Sequence, residues 1–220
     1  MEEKAASVFV TDRLLAVLMT CSRSILPWDI VVTRKGDQLI LDKRANSQID
    51  YLTVNETMAG DQSEEKDTIN MPEHLSVEAT MINSSFAQQV LRTEERLPLP
   101  HPNPFGDGED VASIGYRYRQ WSLGDYDIVV RCEIDGVVKQ GDKDVFLTIK
   151  ALNEIDPRIS GIDWKQKLDV QRGAVFATEL KNNHSKLSRW AAEAVLAGTE
   201  QIKLGYDTKR ALSCSRPRTP

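Results

Sequence analysis

Two short strings place paired charges two residues apart in otherwise apolar surroundings: Cys132-Glu133-Ile134-Asp135-Gly136 and Thr178-Glu179-Leu180-Lys181-Asn182. Residues i and i+2 of a β-strand point to one face. On strands, Glu133 would therefore share a face with Asp135, and Glu179 with Lys181. Each pair follows an apolar run, Ile128-Val129-Val130 and Ala174-Val175-Phe176. The expectation is that these carboxylates and the amine converge across neighbouring strands. Holding such a set in a partly buried site costs on the order of several kcal/mol unless a divalent cation or a polar ligand compensates. Carboxylates on a hard metal with a lysine nearby are the chemistry of phosphodiester hydrolysis. The competing reading is solvated charge on strand surfaces, since a single E-x-D or E-x-K arises readily by chance.

The bulk properties narrow the classes. A chain of 220 residues holds one good domain or two small ones. Hydrophobic residues make up 40% and charged residues 28%, the balance of a soluble globular protein. A net charge of −5 excludes a basic blanket for nucleic acid, so any such contact is a local pocket or groove. The three cysteines, Cys21, Cys132 and Cys214, lack metal-ligand spacing, and three histidines are too few for a His-rich metal site. No apolar run reaches transmembrane length. Met1-Glu2-Glu3-Lys4 lacks the layout of a signal peptide, so a cytoplasmic location without membrane contact is expected.

The elements that must position the charges read as follows. Thr11-Asp12 caps a buried helix from Arg13 to Met19. Trp28 to Thr33 and Gln38 to Asp42 flank Lys35-Gly36-Asp37 as a hairpin. Residues 56–72 are polar and read as a loop, and Phe86 to Leu91 as helix. Leu97 to Gly106 holds four prolines, a crossing loop rather than a ladder strand. Tyr116-Arg117-Tyr118-Arg119 alternates rings and guanidiniums. Either the rings stack on bases and the arginines meet phosphates, or an outer strand packs its rings on the core with its arginines in solvent; the second is expected for the rings. From 164 the order is helix (Trp164 to Arg172), strand (Ala174 to Lys181), helix capped by Ser185 and closed by Gly198, and strand (Gln201 to Tyr206). The fold class expected is α+β, a mixed α/β arrangement with a mixed sheet core flanked by helices.

Long strings then carry a family resemblance: Trp28-Asp29-Ile30-Val31-Val32, Asn103-Pro104-Phe105, Val130-Arg131-Cys132-Glu133, Leu152-Asn153-Glu154 and above all Gln171 to Asn183. Over residues 8–206 the chain resembles the d-subunit family of the eukaryotic translation initiation factor 3 complex. The resemblance implies a domain similar to the decapping exoribonuclease fold that binds the 5′ 7-methylguanosine cap of selected mRNAs without catalysis. It implies as partners capped mRNA, the other subunits of the complex and the small ribosomal subunit. The decapping pattern, a Glu, then E-x-D, then E-x-K, falls here on Glu78, Glu133, Asp135, Glu179 and Lys181. Cap contacts carried over from the family fall on Asp12, Ile25 and Leu26, and on Thr80, Asn83 and Ser84. Leu26 stands where the family pattern has an aromatic, and Ser84 where it has a His. Arg117, Arg119 and Lys181 are the expected phosphate partners. No resident cofactor is expected, with Mg or Mn at the acidic cluster left open. The alternative functions are a metal-dependent hydrolase of RNA 5′ ends and a scaffold with a relic cluster. Relative to the family the domain over 1–206 reads as incomplete at its C-terminal side, followed by a disordered tail over 207–220. Apolar faces around Ile202, Leu204, Trp190 and Leu196 are then expected to be under-covered.

Overall fold

Alternating apolar residues build the first layer. β1 (Ser7–Thr11) buries Val10, which lies in parallel register beside Val130 of β5 (Tyr126–Ile134), and Cys132 continues that face. β1 also pairs in parallel with β3 (Gln38–Asp42). The expected hairpin joins β3 to β2 (Val31–Lys35) through Gly36, whose φ of 63° is open to glycine at no steric cost. β4 (Gly115–Leu123) returns antiparallel on β5, giving a five-stranded mixed sheet in the order β2-β3-β1-β5-β4. This computed structural model describes residues 7–25, 27–58, 71–92, 94–95, 97 and 115–208. Leu26, most of the proline-rich segment, residues 59–70 of the expected loop over 56–72 and residues 209–220 of the expected tail over 207–220 lie outside the described residues.

The second sheet begins where the first ends. Only Asp135 separates β5 from β6 (Gly136–Gln140), which pairs with β7 (Lys143–Asn153), itself parallel to β8 (Gln201–Asp207). β7 is buried on both faces, as a central strand between layers must be. Val145, Leu147 and Ile149 pack under Phe86 and Leu91 at the end of helix α2 (Pro72–Gln89). Gly205 of β8 lies against the Phe86 ring: a Cβ there would stand 2.1 Å from the ring, so only glycine admits this approach.

The helices close the remaining faces. Thr11 caps α1 (Asp12–Met19) as expected, its hydroxyl accepting from the Leu14 N–H at 3.4 Å. After the short α3 (Pro157–Ser160), α4 (Trp164–Lys167) is one turn rather than a helix reaching Arg172. The largest departure follows. Ala174 to Lys181, expected as a strand, belongs to helix α5 (Arg172–Asn182). Its buried residues, Val175, Glu179 and Asn182, recur with helical period, and Ala174, Ala177, Leu180 and Lys181 are strong helix formers. α6 (His184–Ala197) ends at Gly198 in the left-handed region, φ 65°, as expected, but starts before Ser185. Trp190 and Leu196 are fully covered, against the expectation of exposed faces there, whereas Ile202 is exposed.

Candidate functional site

Glu133 and Asp135 do converge, at the seam where the chain passes between sheets. Their companions differ from those expected: Asp12, Arg13, Thr148, Lys150 and Glu193 line the same cleft. Thr148 and Lys150 are the i, i+2 pair on β7, reaching one face of that strand. Asp135 joins the strands directly, its carboxylate accepting from the Ile149 N–H at 2.7 Å and its own N–H donating to the Leu147 carbonyl at 3.2 Å. The charges are matched from within. Arg13 pairs with Glu133 at 2.6 Å, and Lys150 with Glu193 at 3.2 Å in near-complete burial. Asp12 accepts from the Arg13 and Glu133 N–H groups at 2.8 and 2.9 Å, fastening the start of α1 to β5. Burial nevertheless pushes the Asp12 carboxyl up to about 6. Burial also raises Asp135, against the pull of Lys150. Burial works against the charge of Lys150, but Glu193 and Asp135 outweigh it and hold the ammonium above its ordinary range. The cavity left is about 10 Å³, the room of a single water.

Glu78 and Glu179 stand elsewhere. Glu78 is exposed on α2. Glu179 is 2% exposed within the α5–α6 junction, where its carboxylate accepts from the Asn183 side-chain amide at 2.8 Å. Lys181, two positions on, turns about 200° around the helix and is exposed. The two therefore share no face, and the cluster of Glu78, Glu133, Asp135, Glu179 and Lys181 is not formed. The junction has its own order. Glu56 accepts from the Ser185 and Lys186 N–H groups at 3.0 and 2.6 Å, capping α6 from 129 residues away in sequence. Lys186 donates to the Thr53 carbonyl at 2.7 Å, and burial drops its amine to about 8.

The seam residues missed in the sequence carried a signal. Lys150 interrupts the run Val145-Phe146-Leu147-Thr148-Ile149-Lys150-Ala151-Leu152, and Glu193 interrupts Ala191-Ala192-Glu193-Ala194-Val195. A charge inside such a run is buried only with a partner.

Arg117 and Arg119 point inward, the reverse of the expected strand orientation. Arg119 donates to the Val195 and Leu196 carbonyls at 3.1 and 2.9 Å, and Arg117 to Ala197 at 3.1 Å. They satisfy the free carbonyls and complement the negative end of α6. Gly198 leaves them the space, since a Cβ there would lie 2.7 Å from the Arg119 guanidinium. Tyr116 and Tyr118 consequently face solvent. Neither arginine is free to meet a phosphate while it holds the helix.

The carried-over cap positions divide. The Thr80 hydroxyl donates to the Ser76 carbonyl and accepts from the Leu52 N–H, and Asn83 accepts from the Ala151 N–H at 2.8 Å, both fastening α2 to the body. Ser84 and Ile25 are exposed. Ile25 lies between Ser24 and Pro27, two walls of a groove completed by Val17, Trp28, Tyr51 and Arg189. That groove has a cavity volume of about 40 Å³ and is open to solvent, and both of its rings, Trp28 and Tyr51, are exposed. Arg189 holds its far wall by donating to the Ile49 carbonyl at 3.0 Å. Thr80 bonds instead to the backbone of Leu52, a core residue outside the groove.

Comparison with known proteins places this arrangement. The family model of eukaryotic translation initiation factor 3 subunit 7 (eIF-3) matches residues 1–216. The chain belongs to that family. The D subunit of eukaryotic translation initiation factor 3 from Homo sapiens is 53% identical over 208 residues, covering 91% of this chain and 38% of the relative. The Nematostella vectensis protein of the same name is 52% identical over 206 residues, covering 91% of this chain and 36% of its own length. The chain thus spans less than two-fifths of the length of these relatives. The crystal structure of Scheffersomyces stipitis Rai1 superposes with a TM-score of 0.50 at 13% identity, over 93% of this chain and 46% of that one. The chain therefore has the expected mixed fold, with helices flanking mixed sheets, similar to that of Rai1. Among the described residues, no three of His, Cys, Asp and Glu are grouped to hold a metal ion, and no helix is long and apolar enough to cross a membrane.

Proposed function

We propose that this chain is the mRNA cap-reading part of a cytoplasmic translation initiation subunit, acting with the other subunits of the initiation factor 3 complex at the small ribosomal subunit. The observation that carries the reading is the groove at Trp28 and Tyr51. Two exposed rings and a guanidinium border one concavity, and the carried-over cap segment around Ile25 flanks it, with Ser24 and Pro27 on its wall. A 7-methylated guanine is cationic and binds aromatic faces more strongly than the unmethylated base. The ring missing at Leu26 is then supplied by Trp28 or Tyr51. Titration with 7-methylguanosine triphosphate, followed by tryptophan fluorescence, tests this. Binding at least tenfold tighter than that of GTP is expected, with loss on Tyr51→Ala. Equal affinity for the two nucleotides overturns it.

We infer binding rather than hydrolysis. The E-x-K pattern needs a strand beside E-x-D, and the strand in that place carries Thr148-Ile149-Lys150. Thr148 has a hydroxyl where the pattern has a carboxylate, and that hydroxyl bonds to Thr199 at 2.8 Å. Glu133 and Glu193 are each held by a cation. This donor set does not fit a hard divalent ion, which asks for several free oxygens.

A further inference from the structure

Inward rotation of Arg117 and Arg119 leaves the other face of β4 to its rings. Tyr118 is 69% exposed and Tyr116 47% exposed, at the edge of the five-stranded sheet. Cross-strand partners share a face. Tyr118 lies opposite Arg131 and Tyr116 opposite Glu133, while Gln120 lies opposite Val129. Arg131 is exposed and its guanidinium sits 5.1 Å from the centre of the Tyr116 ring. The same rungs continue to Thr11 and Phe9 on β1. This surface lies across the sheet from α1 and α6, hence away from the Trp28 groove.

We propose that the outer face of β4 and β5 binds single-stranded RNA through Tyr116, Tyr118 and Arg131. The two rings are spaced by two strand residues, about 6.8 Å, and stand free of the core, which suits stacking by successive unpaired bases. A duplex keeps its base faces covered and offers nothing to such rings. The local charge does not oppose a polyanion, and Arg131 is placed to meet one phosphate. Glu133, the acid beside Tyr116, is neutralised by Arg13 at 2.6 Å. Arg131 and Arg13 balance Glu133 and Asp127 on this face, so it carries no net negative charge although the chain's net charge is −5. Gln120, exposed on the same face, offers an amide donor and acceptor for base edges. Because stacking needs no base-specific bonds, the surface should be tolerant of sequence and indifferent to the cap.

The probe is a fluorescent, uncapped 12-nucleotide RNA, titrated by anisotropy into the full chain and compared with the same RNA bearing a cap. Replacing both rings, Tyr116→Ala with Tyr118→Ala, should weaken uncapped RNA by about tenfold or more, given the usual worth of a base–ring stack. It should leave the ratio of capped to uncapped affinity unchanged. Tyr118→Phe should stay within about twofold of the parent. Arg131→Gln should lower the slope of log affinity against log salt by about 0.7, the value for one phosphate on a single strand. Circular dichroism and a cooperative melt confirm that the variants fold. Uncapped affinity within twofold of the parent in the double variant overturns the proposal. So does the same result accompanied by lost association with other subunits, which would assign the face to a protein. A parent that binds uncapped RNA through these rings but shows no cap preference supports this surface and overturns the groove instead, so the two readings fail separately.

Discussion

The seam at Asp135 and the junction of α5 with α6 both bury carboxylates beside a lysine, and they settle the charge in different ways. At the seam the lysine meets a side chain: Lys150 holds Glu193, as Arg13 holds Glu133, while Asp12 and Asp135 accept from backbone N–H groups. At the junction, side chain meets backbone: Glu56 takes the free N–H groups of α6, and Lys186 donates to the Thr53 carbonyl. The consequences show in the two lysines. Carboxylates outweigh burial at Lys150 and hold it up, whereas burial prevails at Lys186 and drops it to about 8. A charge matched by side chains can be rewired without unmaking an element. A charge matched to backbone is part of the element itself. The Glu56 cap at the junction is therefore scaffold, whereas the two ion pairs of the seam lie outside any element's own hydrogen bonding.

The sharpest way to break this contrast is to strip one partner from each. Glu193→Ala leaves buried Lys150 with only the weaker pull of Asp135, and a loss of up to about 3–5 kcal/mol is expected in urea denaturation. Glu56→Ala leaves two α6 N–H groups without an acceptor, with an expected loss of about 1–3 kcal/mol. A larger loss for Glu56→Ala than for Glu193→Ala would invert the account.

Acidity sharpens it next. The Asp12 carboxyl rises from 3.8 to about 6 in the folded chain. Between those values the folded state holds the proton more tightly than the unfolded one. The stabilisation is therefore full below about pH 4 and lost as pH rises through about 6. That rise of the Asp12 carboxyl corresponds to about 3 kcal/mol. Asp135 and Glu179 are raised in the same direction. Stability measured from pH 4 to 7 should fall across this window, and Asp12→Asn should flatten the slope. A slope unchanged in the variant removes Asp12 as its source.

Two smaller effects complete the series. Gly198→Ala sets a Cβ against Arg119 at a left-handed φ and should cost about 1–2 kcal/mol by thermal melt. Lys181→Ala, on the exposed face of α5, should change stability by less than about 0.5 kcal/mol. A loss of several kcal/mol there would restore Lys181 to a buried site.

The legible parts of the fold were those where local chemistry and tertiary context agree. The Thr11 cap, the Gly36 hairpin, the Gly198 terminus and the strand at Gln201–Asp207 all needed only neighbouring residues. The strand carrying Glu133 was legible for the same reason: its apolar alternation matches its burial. α5 was not, because Ala174-Val175-Phe176 reads as strand in a short window, while its helical period appears only when Val175, Glu179 and Asn182 are seen together. That single error moved Glu179 and Lys181 out of the site. The orientation of β4 was also hidden. Rings usually turn inward, but here the open carbonyls at the end of α6 recruit the arginines, and those carbonyls lie about 80 residues away along the chain. Thr148 and Lys150 were readable as charge and hydroxyl in an apolar run, yet only the crossing at Asp135 shows that they face Glu133.

The central claim is that this domain reads the cap and does not cut behind it. Its most direct test is one titration of the purified chain with matched capped and uncapped RNAs in Mg²⁺ and then Mn²⁺, reading bound fraction and 5′-end products from the same samples. The account predicts saturable binding, tighter for the capped RNA, with full-length RNA recovered intact in both metals. Metal-dependent release of the 5′ end, abolished by Glu133→Gln, would contradict it.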